Sequence, residues 1–296
     1  MAIRRPALWP VALAGFLARG GVVLFVVPVV FLPSLVGLAT FIDPASITPT
    51  GPTAGLVIRI AVAAVVVVAA LLAGTLAAGA AEIDLIRAGS SADIARPGEL
   101  RRVGLIRLIG LIPVAIALAL GIERLGEIVY QELTLPTDLV TPIVIRVASR
   151  APDVVAAIIV AWLFGETWAG LATRLAVIRG ASLVAALAGG LVLIVRRAPA
   201  VVALLASSSL VALLVLGVAI SLVGGSWDLV QQVLLGGAGI GTVAGMAGSV
   251  LLFASAWLVA LVAAGILATW RGLAWTLVVG EDHRGSGGMP VERATL

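Results

Sequence analysis

Cysteine, lysine and asparagine do not occur in this chain of 296 residues, and histidine and tyrosine occur once each. Without cysteine there are no disulfides and no thiolate metal sites, although that alone fixes no compartment. Without asparagine there is no acceptor for N-glycosylation. The lone histidine, His283, has no second ligand near it, so the sequence implies neither a metal site nor another cofactor. The serine cluster at 207–209 has no base beside it, and no carboxylate pair converges at a predictable spacing. Lysine and asparagine need AT-rich codons. Their loss beside abundant Arg, Ala, Gly and Val points to a very GC-rich, bacterial genome.

Charge is also scarce, at 11% of residues, against 61% hydrophobic and a mean hydropathy of +1.22. Soluble domains carry about 25% charge. Several apolar runs exceed the roughly 18 residues that mark a membrane-spanning helix, so the chain reads as an integral membrane protein. The first apolar stretch follows Arg4 and Arg5 and runs to Ile42, too long for a cleaved signal h-region. A formal charge of +4 and a pI near 11.1 fit membrane orientation and contact with anionic lipid headgroups, and no nucleic-acid partner is implied.

Three echoes of one helix end organise the sequence. The stretch 167–182 (TWAGLATRLAVIRGAS) is matched in register by 75–90 (TLAAGAAEIDLIRAGS), and 269–274 (TWRGLA) repeats five of its first six residues. Arginine pairs at Arg4-Arg5, Arg101-Arg102 and Arg196-Arg197 precede the three threonines at a similar interval. The chain therefore divides into units of roughly 95 residues. The expected fold is all-α: a polytopic bundle of about six transmembrane helices, built as three hairpin pseudo-repeats with interfacial helices. Residues 1–280 form one transmembrane domain with pseudo-repeats near 4–82, 101–174 and 196–276, followed by a flexible cytoplasmic tail at 281–296.

In chain order, 1–19 fits an interfacial helix with Trp9 at headgroup depth, or else a spanning helix from Pro6 that buries Arg19. Spans are expected near 20–42, 54–81, 103–122, 154–173, 199–224 and 240–268, with turns at 43–52 and 227–228 and a long outer connection at 123–153. Within that connection Arg146 and Arg150 share a helix face. The segment 180–197 has an apolar core of about 15 residues, or about 22 Å of helix, which is short of the ~30 Å hydrocarbon thickness. It fits a surface helix. A seventh span there would carry Arg196 and Arg197 outward and break the repeat. In the six-span layout fourteen arginines face one side and three (Arg124, Arg146, Arg150) the other. This places both termini in the cytoplasm and the chain in the cytoplasmic membrane.

Glu166 is the one carboxylate placed inside a span, about 12 Å of helix before Arg174. Arg19 and Arg107 are its candidate partners in an intramembrane polar site. The glycine run 236–248 lacks the lysine and the strand of a nucleotide loop. Gly241, Gly245 and Gly248 are instead expected to pack helices closely. Trp168, Trp270 and Trp275 are candidate interface anchors, and Thr75, Thr167 and Thr269 can bond back to their own helices.

The segments ELRRVGLIRLIGLIP and IVRRAPAVVALLASSS, each entering a hairpin through a basic surface helix, give the chain a build that resembles the multi-pass membrane region of some bacterial glycerophosphodiester phosphodiesterases. The resemblance covers architecture and carries no functional residue across. It implies a membrane part without the soluble catalytic barrel of those enzymes, hence no enzymatic activity. The expected role is a scaffold or partner subunit acting through helix packing and lipid contact, with the bilayer and another membrane protein or a second copy as partners. The alternative is a transporter or permease component with a polar site near Glu166.

Overall fold

A computed structural model describes residues 5–26, 47–48, 51–52, 54–90, 96–135, 141–235 and 240–286. Short helix α1 (Leu8–Phe16) passes through a π-helical turn (Leu17–Gly21) into α2 (Val22–Val26). The rest of the first expected span lies outside the described residues. In the expected turn at 43–52, strands β1 (Ile47–Thr48) and β2 (Gly51–Pro52) form a two-residue antiparallel ladder, with Ile47 opposite Pro52. Helix α3 (Ala54–Gly89) closes the first unit. The second unit holds α4 (Glu99–Ile109), α5 (Ile112–Thr134), α6 (Ile143–Arg150) and α7 (Pro152–Ile178), and the third holds α8 (Leu183–Arg196), α9 (Ala198–Leu235) and α10 (Ile240–Ser286).

Among the described residues five stretches are long and apolar enough to cross a membrane: Ala64–Gly89, Glu99–Thr134 (α4 with α5), Pro152–Ile178, Ala198–Leu234 and Ala244–Val279. The chain is a multi-pass helical membrane bundle. Its apolar exposure agrees, since Val65, Leu120 and Leu213 are all more than 60% exposed, as lipid-facing side chains are. Helix α8 has 14 residues, about 21 Å, and so falls short of a span. Its start is set by Ser182, whose hydroxyl accepts from the Ala185 backbone N–H at 3.4 Å. The closing helices run past the ends expected for their spans, α7 by about one turn and α10 by about five. Because α10 is helical to Ser286, the tail expected from 281 is helical at its start.

The three closing helices α3, α7 and α10 pack pairwise against one another. Helix α1 packs on both α10 and α3, and α4 on both α3 and α7. Helix α8 packs on α7, and its Ala186 and Leu193 share an apolar core with Trp275 and Val279 of α10. Each unit thus lays its short helix against neighbouring closing helices. The second arginine of each basic pair reinforces the pattern. Arg5 donates to the Ala88 carbonyl, Arg102 to Ala181 at 3.1 Å and Arg197 to Val278 at 3.4 Å. A cation at a helix C-terminus satisfies carbonyls left without intrahelical donors and opposes the helix dipole, as the bond to Ala88 does. The bond to Ala181 falls in the turn between α7 and α8.

Two close crossings set the spacing. A Cβ added at Gly74 would lie 2.1 Å from the Ala18 carbonyl oxygen, and one at Gly165 would lie 2.1 Å from that of Gly110. Backbone occupies the space a side chain would need. By contrast Gly245 and Gly248, expected to pack, have nothing within 4 Å, and the surroundings of Gly241 lie outside the described residues. Close packing is made by other glycines because the contacts fall where the short helices cross α3 and α7, away from the start of α10. Gly165→Ala should therefore destabilise the bundle by about 1–3 kcal/mol, while Gly245→Ala should leave it unchanged. Thermal unfolding of both variants in detergent checks this, and equal midpoints would contradict it.

Candidate functional site

The helical turn at Leu17–Gly21 is interrupted by Arg19 (φ −83°, ψ 16°) and Gly20 (φ 96°, ψ 0°). The left-handed conformation at Gly20 is one that glycine alone adopts without steric penalty. The break redirects the chain and leaves Arg19 pointing into the bundle against α3 and α7. There it meets Glu82 of α3, Arg107 of α4 and Glu166 of α7.

Glu82 is the hub and is 5% exposed. Arg107 Nε donates to its Oε2 at 2.6 Å, and the Arg107 Nη2 group bonds the other oxygen, a two-pronged grip on one carboxylate. Arg19 Nη2 donates to the same Oε2 at 2.8 Å. The Thr173 hydroxyl lies 3.1 Å from Oε1, and Arg174 Nη1 lies 3.5 Å from it. Glu166 takes a second prong of the same arginines, with Arg107 Nη1 at 3.1 Å and Arg19 Nη1 at 3.6 Å from its Oε2. Arg174 turns its remaining donors to backbone, at 2.7 Å to Gly170 O and 3.0 Å to Gly272 O, which ties α7 to α10.

This network lines a cavity of about 730 Å³ bounded by α1 and its π-turn, α3, α4, α7, α9 and α10. Arg271 of α10 joins the wall. Three buried polar atoms there have no hydrogen-bond partner among the described residues: Thr167 Oγ1, Arg19 Nε and Arg174 Nε. Thr75 and Thr269 bond back to Leu71 O at 2.7 Å and Gly265 O at 2.8 Å, so Thr167 is the one threonine of the three whose hydroxyl is left over.

The structure thus brings Glu166, Arg19 and Arg107 together, and adds three groups that a sequence reading leaves at the surface. Glu82 looks solvated because Asp84 and Arg87 follow it. The helix in fact continues past it, and Glu82 faces inward while Arg87 pairs with Glu99 on α4. Arg174 and Arg271 are hidden in the same way. The repeat held a signal for two of them: Glu82 and Arg174 each stand seven residues after their aligned threonine, so acid and base occupy equivalent places on adjacent closing helices. Trp275, expected as an interface anchor, is a core residue at 6% exposure, because it joins the apolar core with residues of α7 and α8. Trp168 is half-buried and donates to Leu187 O at 2.9 Å, and Trp270 is half-buried on α10. At the other end of the bundle Glu132, fully buried, pairs with Arg146 at 2.6 Å and Arg150 at 2.8 Å and fixes α6 to α5. Arg146 is therefore enclosed by protein.

No protein-family profile, curated protein or solved structure matches this chain.

Chemically, the site has fixed cations, two carboxylates already engaged by them, and a void beside them. Breaking a buried ion pair from one side costs about 3–5 kcal/mol, because the other charge is left uncompensated. Glu82→Gln should lose stability in that range, with strong coupling to Arg107→Gln in a double-mutant cycle. Glu166→Gln, whose side chain is 25% exposed, should lose about 1 kcal/mol or less. Unfolding midpoints of the singles and doubles decide it, and a Glu82–Arg107 coupling below about 0.5 kcal/mol would contradict the hub assignment.

Proposed function

We propose that this protein is a non-enzymatic transporter or permease component of a bacterial cytoplasmic membrane, which binds its substrate in the cavity beside Glu82 and Glu166. The observation that carries the proposal is the cavity itself: a void of about 730 Å³ walled by four arginines and two glutamates within a bundle of apolar helices. Cavities of roughly 300–1,000 Å³ hold small molecules, and ionisable residues at membrane depth accompany substrate and ion pathways. The scaffold role expected from the sequence rests on packing and lipid contact and leaves this void without a use.

The absence of cysteine allows a direct test. A single cysteine replacing Ala212 on the cavity wall of α9 should react with a small anionic thiol reagent, both in right-side-out and in inside-out vesicles. A cysteine replacing Leu214, which is exposed on the same helix and does not line the cavity, should react in neither. No reaction at position 212 from either side would return the scaffold reading to first place. Reaction from one side alone would overturn transport in favour of one-sided binding.

The arginine distribution supports cytoplasmic termini. Cysteine at Arg179 should then react with an impermeant reagent only in inside-out vesicles, and cysteine at Arg124 only in right-side-out ones. Both side chains are exposed. The opposite pattern would invert the topology.

A further inference from the structure

We infer that the cavity takes a phosphate monoester carried on an apolar chain, a lipid-phosphate dianion, with its phosphate held by Arg271, Arg19 and Thr167. The inference rests on the transport reading and names its substrate class.

Charge comes first. Among the described residues the wall holds Arg19, Arg107, Arg174 and Arg271 against Glu82 and Glu166, so four positive charges less two negative leave a formal +2. The carboxylates are already gripped by Arg107 and Arg19, whereas Arg271 has no hydrogen bond or ion pair among the described residues. Uncompensated cations in an apolar bundle are unfavourable, and an entering anion offsets them. A phosphate monoester carries about −1.5 to −2 at pH 7, which matches the surplus. A carboxylate or a phosphodiester would leave one cation over. Guanidinium forks also fit phosphate oxygens in paired bonds. The unpartnered Thr167 hydroxyl and Arg19 Nε supply further donors on the same wall.

The rest of the lining has the other half of the chemistry. Ile159, Trp162 and Leu163 of α7 and Leu213, Leu216 and Ile220 of α9 line the same void. Ile159, Trp162 and Leu213 are each more than 45% exposed. An apolar chain attached to the phosphate would cover these side chains. Inorganic phosphate would use the arginines and leave this wall uncovered.

Purified protein in non-ionic detergent should be titrated with dioctanoyl phosphatidic acid, with dioctanoyl phosphatidylcholine, and with inorganic phosphate, while the unfolding midpoint is followed. Phosphatidic acid should raise the midpoint saturably, phosphatidylcholine should not, and inorganic phosphate should act only at far higher concentration. Arg271→Gln, which breaks no ion pair, should keep the unliganded midpoint and weaken phosphatidic acid binding about tenfold or more. Thr167→Val should weaken it about three- to tenfold, and it carries the test if Arg271→Gln does not fold. Equal potency of inorganic phosphate would overturn the lipid assignment. No shift with any ligand, or an unchanged affinity in the variants, would overturn the phosphate site. If position 212 is open from both sides while phosphatidic acid does not bind, transport stands and the substrate class falls. If position 212 is sealed, both fall.

Discussion

An ionised carboxylate in a membrane bundle must have cations brought to it, because hydrocarbon offers no solvation in their place. Glu82 meets that condition with donors from the π-turn, α4 and α7. Each donor arrives by a different structural device. Arg19 is delivered by a helix break, Arg107 from the last turn of a short surface helix, and Arg174 from a closing helix that also bonds the backbone of α10. The position of the short helices relative to the closing ones is thereby tied to a charge balance as well as to apolar packing.

The repeat and the site are related through this balance. The three closing helices lie together, and seven residues beyond the aligned threonines they carry Glu82, Arg174 and Thr276. An acid, a base and a neutral hydroxyl stand at equivalent places, and Glu82 and Arg174 are near enough to interact at 3.5 Å. Identical residues there would have placed like charges together, which low dielectric penalises strongly. Divergence at that one level allows the closing helices to pack and leaves a surplus of positive charge to one side.

Much of this was legible in the residues. Periodic threonines and arginine pairs marked the units, apolar length separated α8 from the spans, and depth in a span singled out Glu166 with Arg19 and Arg107. The rest depended on facts that local sequence does not carry. Glu82 sits in a run whose neighbours Asp84 and Arg87 are polar, and only the rotation of α3 about its axis decides which of them turns inward. Trp275 has the character of an interface anchor, but it is drawn into the core shared with α7 and α8. Gly245 and Gly248 form a good packing pattern with no partner helix across from them, whereas Gly74 and Gly165, in no such motif, meet backbone. Helix faces acquire meaning from what they oppose, and opposition is a property of the assembled bundle.

The contact between α1 and α10 has a consequence for how the protein is made. Gly265 approaches the Trp9 carbonyl so closely that a Cβ there would lie 3.0 Å away, and the Thr269 hydroxyl lies 3.5 Å from Leu8 O. Helix α1 therefore has part of its packing surface supplied by α10, far along the chain. Until α10 is inserted, that face of α1 stays open in the bilayer, although Arg19 already has Glu82 to hold it. The ion cluster is complete only with α7 present, and α10 closes the wall around it.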